Sequence, residues 1–280
     1  MENRYIDLHT HSTCSDGTLT PVELAHLAYE EGLCAVALTD HDTKKGASQF
    51  VKECEKLGIM GIEGVELSAE YKKELHIVSL FASGEEFDST VLRLQNGRGD
   101  RNLKMLELLR NEGFDITVDD IAAMNKEVTP KSFGRPHMAR ALVQKGYVKD
   151  FQEAFDKYLA QGKRCYLDRF RLSPKECIEL IKHSGGIAVW AHPVYTVENE
   201  DELLNTVIQL KEYGLDAIEC RYSRYTQEQT DMCMRVAKKA GVLMSGGSDF
   251  HGEHKPDVKL GRVFGGRVPY EYLEKMMERL

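Results

Sequence analysis

The sequence predicts an α/β fold: a mainly parallel sheet whose seven strands suit a barrel, with an all-helical subdomain inserted. Three observations predict it. Seven short apolar runs alternate with helical stretches, and strand alternating with helix is the pattern of a parallel sheet. The connections are short, which suits a barrel better than an open sheet. Between the fourth and fifth runs the alternation stops, and residues 98–170 read as helices without a strand.

The strands fall at 5–9, 34–39, 59–66, 74–81, 187–192, 217–221 and 242–245. The helices between them carry explicit start signals. Thr20-Pro21-Val22-Glu23 is a capping box with proline at the first helical position, and Ser173-Pro174-Lys175-Glu176 repeats it. Thr226 with Gln229 is a third instance. Helices end near Gly32, Gly58, Gly113, Gly185, Gly214 and Gly241, where a left-handed cap costs little. The inserted stretch divides into helices at 101–111, 118–124, 137–145 and 150–160. The expected division is thus a barrel of residues 1–97 and 171–280 with an inserted helical subdomain at 98–170.

Composition narrows the function classes. The chain has 280 residues, 42 % hydrophobic and 29 % charged, which excludes disorder, collagen and coiled coil. No apolar run approaches 18 residues, so no membrane span is expected, and the N-terminus shows no signal-peptide core. Seven cysteines without a C-x-x-C pair read as reduced thiols of a cytoplasmic protein. The net charge of −8 argues against broad, nonspecific nucleic-acid binding. The charge is uneven: the insert is mildly basic within an acidic body, which suits an anionic ligand or a solvated helical surface.

The histidines mark the chemistry. His9-Thr10-His11 closes the first strand, and residues two apart on a strand point to one side, so both rings reach one ion. His41 follows the second strand in Thr39-Asp40-His41-Asp42, and Glu66 ends the third. His76 lies on the fourth, His192 closes the fifth, and Asp249 and His251 follow the seventh. In a parallel barrel all strand C-termini open on one face, so six of seven strands deliver an imidazole or carboxylate to one rim. Such a set is suited to a multinuclear metal site. Asp16 in Ser15-Asp16-Gly17 is a ligand candidate or a turn residue. His26 and His183 sit in helices and read as surface or packed residues, and His254 reads as exposed. Gly246-Gly247 before Asp249 points to close backbone approach. The zinc-protease, P-loop and nucleophile-elbow signatures are absent.

The ordered motifs H-x-H, S-D-G-x-x-x-P, T-D-H-D, G-x-E, L-H-I, A-H-P and S-D-F-H resemble those of the PHP (polymerase and histidinol phosphatase) family over essentially the whole chain. Gly134-Arg135-Pro136-His137-Met138-Ala139-Arg140 and the following stretch through Leu159 resemble the branch containing nucleoside 3′,5′-bisphosphate phosphatases and a 5′→3′ exoribonuclease (RNase AM). The resemblance implies a distorted (β/α)7 barrel with three divalent ions, manganese by family analogy and iron or zinc as alternatives. By motif, His9, His11, Glu66 and Asp249 would hold the first ion. Glu66 would bridge to a second, held also by His76 and His192; Asp16, His41 and His251 would hold the third.

Three divalent ions and three carboxylates leave a formally positive site, suited to a phosphate dianion and to activating water as a bridging hydroxide. Asp40 and Asp42 flank His41 and are candidates to orient histidines, relay protons or cap the next helix. Arg135, with a planar donor fork, and His137 are candidates for a second phosphate at a helix start. Lys131, Lys163 and Arg221 are weaker anion candidates, and Arg98 and Arg101 read as solvated helix residues. The expected activity is hydrolysis of the ester beside a 5′-nucleotide. The 3′-phosphate of a nucleoside bisphosphate is one substrate, short 5′-phosphorylated RNA the other. Alternatives are another phosphomonoesterase, such as a histidinol phosphatase, and a non-catalytic metal-binding module. No membrane association and no obligate protein partner are expected.

Overall fold

The computed structural model describes residues 4–122 and 129–280. Its strands are β1 (Tyr5–Asp7), β2 (Ala35–Leu38), β3 (Met60–Ala69), β4 (Leu75–Leu80), β5 (Ile187–Ala191), β6 (Ala217–Tyr222), β7 (Leu243–Gly247) and β8 (Val268–Pro269). The sheet order is β7-β6-β5-β4-β3-β2-β1-β8. The first and seventh strands close the wall: Leu8 N–H donates to the Gly246 carbonyl (3.2 Å), and Thr10 bridges Phe250 in parallel. The result is a distorted, nearly closed α/β barrel.

Two features depart from the sequence expectation. β4 runs antiparallel to both β3 and β5. Only five residues separate β3 from β4, and a parallel crossover needs a dozen or more, so the pair must form a hairpin. β8 is an extra strand, antiparallel to β1.

The helices begin where the caps predict. Thr20, Ser173 and Thr226 each complete a capping box at the start of α1 (Pro21–Glu30), α7 (Pro174–His183) and α9 (Gln227–Ala240). Gly58, which ends α2 (Ala47–Leu57), is left-handed at φ 75°. Strand alternation then sorts the core. Ile6, Ile62, Val78, Val189 and Ala217 face one way and pack with Leu273 and Met276 of α10 (Glu271–Met277), which covers the barrel end near β8. Val65, Leu67, Ile77, Trp190 and Ile218 face outward against α7, α8 (Glu200–Glu212), α9 and the first half of α3 (Glu85–Asn111). Burying each such side chain contributes about 1.5–3 kcal/mol.

The expected helix at 101–111 is the second half of that 27-residue α3. Its first half lies on the barrel through Phe87, Val91 and Leu94. Its second half contributes Met105, Leu106 and Leu109 to another apolar cluster. That cluster is completed by Ile121 of α4 (Val118–Ala122), Met138 and Leu142 of α5 (Arg135–Gln144), Phe133 and Leu159. Residues 123 and 124 of the expected 118–124 helix lie outside the described residues. The 150–160 helix is α6 (Phe151–Ala154) continuing into one π-helical turn, Phe155–Leu159.

Candidate metal centre and adjoining cavities

Nine side chains meet at the open rim, with Glu66 at the hub. Alternation along β3 turns Glu66 inward, between the outward Val65 and Leu67. Its Oε2 lies 3.3 Å from His9 Nε2, 3.3 Å from His11 Nε2 and 3.0 Å from His41 Nδ1. Its Oε1 lies 2.8 Å from His76 Nδ1 and 3.0 Å from His192 Nε2. His76 reaches the rim because β4 is reversed: its N-terminal end, not its C-terminal end, opens there. On the far side Asp16 Oδ1 lies 3.3 Å from His251 Nε2, Asp16 Oδ2 3.6 Å from His41 Nε2, and Asp249 Oδ1 3.3 Å from His11 Nε2.

The backbone bends sharply to make this rim. His192 and Asp249 have φ of 32° and 55°, and Asp42 has 52°. Such left-handed conformations at non-glycine residues cost about 1–3 kcal/mol each and persist only where surrounding contacts enforce them. Close approach also explains the diglycine: a Cβ at Gly247 would lie 2.3 Å from His9 Cβ.

The donor set fits cations. His9 Nε2, His11 Nε2, His41 Nδ1 and Glu66 Oε2 are buried and have no hydrogen-bond partner among the described residues, yet they converge on one point. A buried polar atom left unpaired costs about 1–3 kcal/mol, which a shared cation would relieve. Four overlapping groups satisfy ligand spacing: His11–Asp16–His41–His251, His9–Glu66–His192, His9–His11–Asp249 and His41–Glu66–His76. Burial pushes the Glu66 carboxyl up, but His41, His76 and His9 hold it well below the usual range. Burial likewise opposes ionisation of Asp249, and Lys255, His251 and His9 overcome it.

Around the rim stand groups that sequence reasoning missed. Glu219 on β6 lies 3.2 Å from His9 Nδ1 and accepts from His192 N–H (2.7 Å). Asp7 accepts from the backbone of His9, Ser248 and Gly261. Tyr222 and Lys255 both donate to Asp249 Oδ2, at 2.6 and 2.5 Å. His254 is half-buried rather than exposed, with Nδ1 2.7 Å from the Asp16 carbonyl.

Asp40 and Asp42 are not free acid–base groups. Asp40 accepts from Ser12 N–H, Ser12 Oγ and Ser15 Oγ at 2.8, 2.6 and 2.5 Å, fixing the loop that carries Asp16. Asp42 is paired with Arg98 and Arg169, the latter at 2.6 Å, and accepts from Ser68 N–H. Both are buried, neither lines the cavity, and neither caps α2, whose N-cap is Gly46.

Two cavities share the rim. One, about 420 Å³, is lined by rim ligands, His137, Arg140, Phe151, Tyr195, His254 and Lys255. The second, about 370 Å³, shares Asp16, His41, Glu74, His76 and Pro136 with it and is lined by Arg98, Arg101, Arg135, Arg169 and Arg171. Arg98 and Arg101 are therefore buried cavity residues, not solvated ones. The Nε atoms of Arg98, Arg101 and Arg171 are unpartnered among the described residues. Burial, then the charges of Arg98, Arg169 and Arg135, push Arg101 down to about 9. Lys131, Lys163 and Arg221 line neither cavity; the two lysines are exposed, and Arg221 Nε is buried with no partner among the described residues.

An α/β barrel whose rim gathers imidazoles and carboxylates beside a basic cavity is the arrangement of a metal-dependent phosphoesterase. The family model for the PHP domain matches residues 7–169, and the chain belongs to that family. It is 36 % identical to a 5′-3′ exoribonuclease of Haemophilus influenzae, over 90 % of this chain and 91 % of the relative. It is 32 % identical to a 3′,5′-nucleoside bisphosphate phosphatase of Chromobacterium violaceum, over 90 % of each. A Bifidobacterium adolescentis structure assigned as a metal-dependent phosphoesterase superposes with a TM-score of 0.84 at 30 % identity, over 99 % of this chain and 96 % of the other. Among the described residues no helix is long and apolar enough to cross a membrane.

Proposed function

We propose that this chain hydrolyses the phosphate ester on the 3′ oxygen of a nucleotide that also carries a 5′-phosphate. A nucleoside 3′,5′-bisphosphate and the first nucleotide of a 5′-phosphorylated RNA both meet that description. The two relatives' names fit these two substrates. The observation that carries the reading is the arginine cavity sharing a wall with the metal rim. It offers five guanidiniums for a second phosphate, and only Asp42 and Asp168 pair with any of them among the described residues. A small monoester such as histidinol phosphate has no use for it.

The nine rim side chains would hold up to three divalent ions in the grouping implied by the family motifs, with manganese proposed and iron or zinc chemically acceptable. Bound there, divalent ions supply Lewis-acid stabilisation of phosphoryl charge and an activated water. The chain's own groups do the positioning. Tyr222 and Lys255 fix Asp249 Oδ2 and leave Oδ1 facing His9 and His11. Glu219 orients His9, as carboxylates commonly orient ligating imidazoles. Arg135, at the first position of α5, faces the second phosphate, stacked near Tyr166 and Phe155. His137 Nδ1 accepts from Gly134 N–H, which leaves the Nε2 hydrogen as donor, and burial depresses its pKa to about 4, keeping the ring neutral.

The test compares adenosine 3′,5′-bisphosphate with 3′-AMP on manganese-loaded protein with metals counted per chain. The native chain is expected to prefer the bisphosphate. Arg135→Ala is expected to lower kcat/KM for the bisphosphate about 10- to 100-fold, the worth of a charged hydrogen-bonding group, and to leave 3′-AMP unchanged. Equal turnover of both substrates by the native chain would overturn the reading.

A further inference from the structure

The ligand groups of the rim are not braced alike. Glu219 lies against the His9 ring and accepts from His192 N–H, while Tyr222 and Lys255 hold Asp249 Oδ2. Asp16, in the group with His11, His41 and His251, lacks a comparable brace among the described residues. Ser15 Oγ stands 3.2 Å from Asp16 Oδ1, but the same hydroxyl is closer to Asp40, at 2.5 Å, and has one hydrogen to give. The aim of the Asp16 carboxylate is therefore set by its backbone.

That backbone is held from two sides. On one, Ser15 N–H and Gly17 N–H both donate to the Ser12 carbonyl, at 3.1 and 2.9 Å, in a turn so tight that a Cβ at Gly17 would lie 2.4 Å from the His11 carbonyl oxygen. On the other, the loop after β7 reaches across. Thr18 N–H donates to the His251 carbonyl (3.2 Å), and Glu253 N–H donates to Thr18 Oγ1 (3.0 Å). His254 Nδ1 lies 2.7 Å from the Asp16 carbonyl oxygen. A carbonyl only accepts, so this nitrogen carries the hydrogen. The approach needs a glycine: a Cβ at Gly252, where φ is 64°, would lie 2.0 Å from Thr18 Oγ1. His254 itself belongs to none of the four ligand groups.

We propose that His254 is a positioning residue for the metal centre: by holding the Asp16 carbonyl it latches the loop after β1 to the loop after β7, and so sets how tightly the group His11–Asp16–His41–His251 takes a divalent cation. The inference rests on the three-ion grouping proposed above and concerns its strength at one place. Asp16 and His251, two of that group's four donors, stand on the two latched loops with Asp16 Oδ1 3.3 Å from His251 Nε2, so the latch fixes the spacing between them. His251 is already turned for this, since its Nδ1 donates to the Asp249 carbonyl (2.8 Å) and leaves Nε2 with its lone pair toward Asp16. His9, Glu66, His76 and His192 stand on or close to β1, β3, β4 and β5 and do not share this support. Losing a partner that orients a ligand costs about 10- to 100-fold in metal affinity, and here the loss falls on one group.

The test titrates manganese into the metal-free native chain, His254→Ala and His254→Asn. Free ion is read by electron paramagnetic resonance, and bound ion per chain is counted after dialysis. The native chain is expected to hold three ions. His254→Ala is expected to bind one of them about 10- to 100-fold more weakly, with the others unchanged. His254→Asn keeps a side-chain N–H donor close to the place of Nδ1 and is expected to restore the native titration. Thr18→Val, which removes the hydroxyl that accepts from Glu253 N–H, is expected to weaken the same ion by a smaller factor. Raised manganese should return turnover of adenosine 3′,5′-bisphosphate to His254→Ala, which the loss of a substrate contact would not allow. An alanine variant that titrates like the native chain, one that loses every ion alike, or one that asparagine fails to rescue would overturn the proposal while leaving the grouping standing. A native chain that takes up two ions or fewer would instead sink the grouping itself.

Discussion

The metal rim and the arginine cavity share a wall and pose opposite charge problems. The rim gathers carboxylates and ring nitrogens whose lone pairs converge at metal-ligand spacing. The neighbouring cavity gathers guanidiniums, three of them with an Nε that has no partner among the described residues, beside fewer anions. The supports differ too. Rim groups sit on or just after β1 to β5 and β7, and Asp7, Asp40 and Glu219 brace them through backbone and ring hydrogen bonds. The arginines come from α3, α5 and the segment around residue 170, and one carboxylate, Asp42, pins two of them. Each cavity is complementary to a charge the polypeptide does not supply. Together they outline a ligand with one phosphate for metal and another for arginine.

The largest effect expected from this contrast is at the rim. Glu66→Gln removes the shared carboxylate charge. Metal content per chain should collapse and activity should fall by more than about 100-fold, beyond what losing a mere orienting partner does. Retention of full metal content by this variant would break the idea that Glu66 is the hub.

Asp42→Asn comes next. Removing one partner of a buried ion pair costs about 3–5 kcal/mol, and here two arginines are stranded at once. Urea denaturation should show that loss, with metal content retained by the protein that remains folded. Burial opposes ionisation of Asp42, but Arg169 and Arg98 hold its carboxyl well below the usual range. Its contribution is therefore complete above the unfolded carboxylate pKa of about 4 and fades only as pH falls toward the depressed folded value. Asp42→Asn should accordingly lose the same stability at pH 6 and pH 8.

The smallest effect sharpens the contrast by changing sign. Arg101 is buried, has no ion-pair partner among the described residues, and stands beside other cations. Arg101→Met should raise stability by about 1 kcal/mol, in the direction seen when buried ionic groups yield to apolar ones. The same variant should weaken the preference for bisphosphate over 3′-AMP. A variant that is less stable would mean the cavity holds that guanidinium more comfortably than its missing partners imply.

The rim was readable because its residues cluster in short motifs at or just beyond strand ends, which the barrel brings to one face. The reversal of β4 was also within reach, since five residues cannot make a parallel crossover. So was Glu219: a carboxylate in Ala217-Ile218-Glu219-Cys220 has no reason to be in a buried strand unless something there uses it. Arg98 and Arg101 were harder. On a helix of mixed charge, nothing local distinguishes a solvated arginine from one covered by another layer. Their burial depends on the segment carrying Arg169, some 70 residues away in the sequence. The pairing of Asp42 is illegible locally for the same reason, because its partners lie in those distant segments.

Five rings from four strands lean on the two oxygens of Glu66. His9, His11 and His41 each belong to two of the ligand groups, but each brings a single ring nitrogen to the shared carboxylate. Glu66 joins two of those groups and touches five rings, so a change at position 66 disturbs more of the centre than a change at any one ring. Evolutionary novelty in such a scaffold must therefore enter through the helical layer, which can be remodelled while the cation cage stays intact.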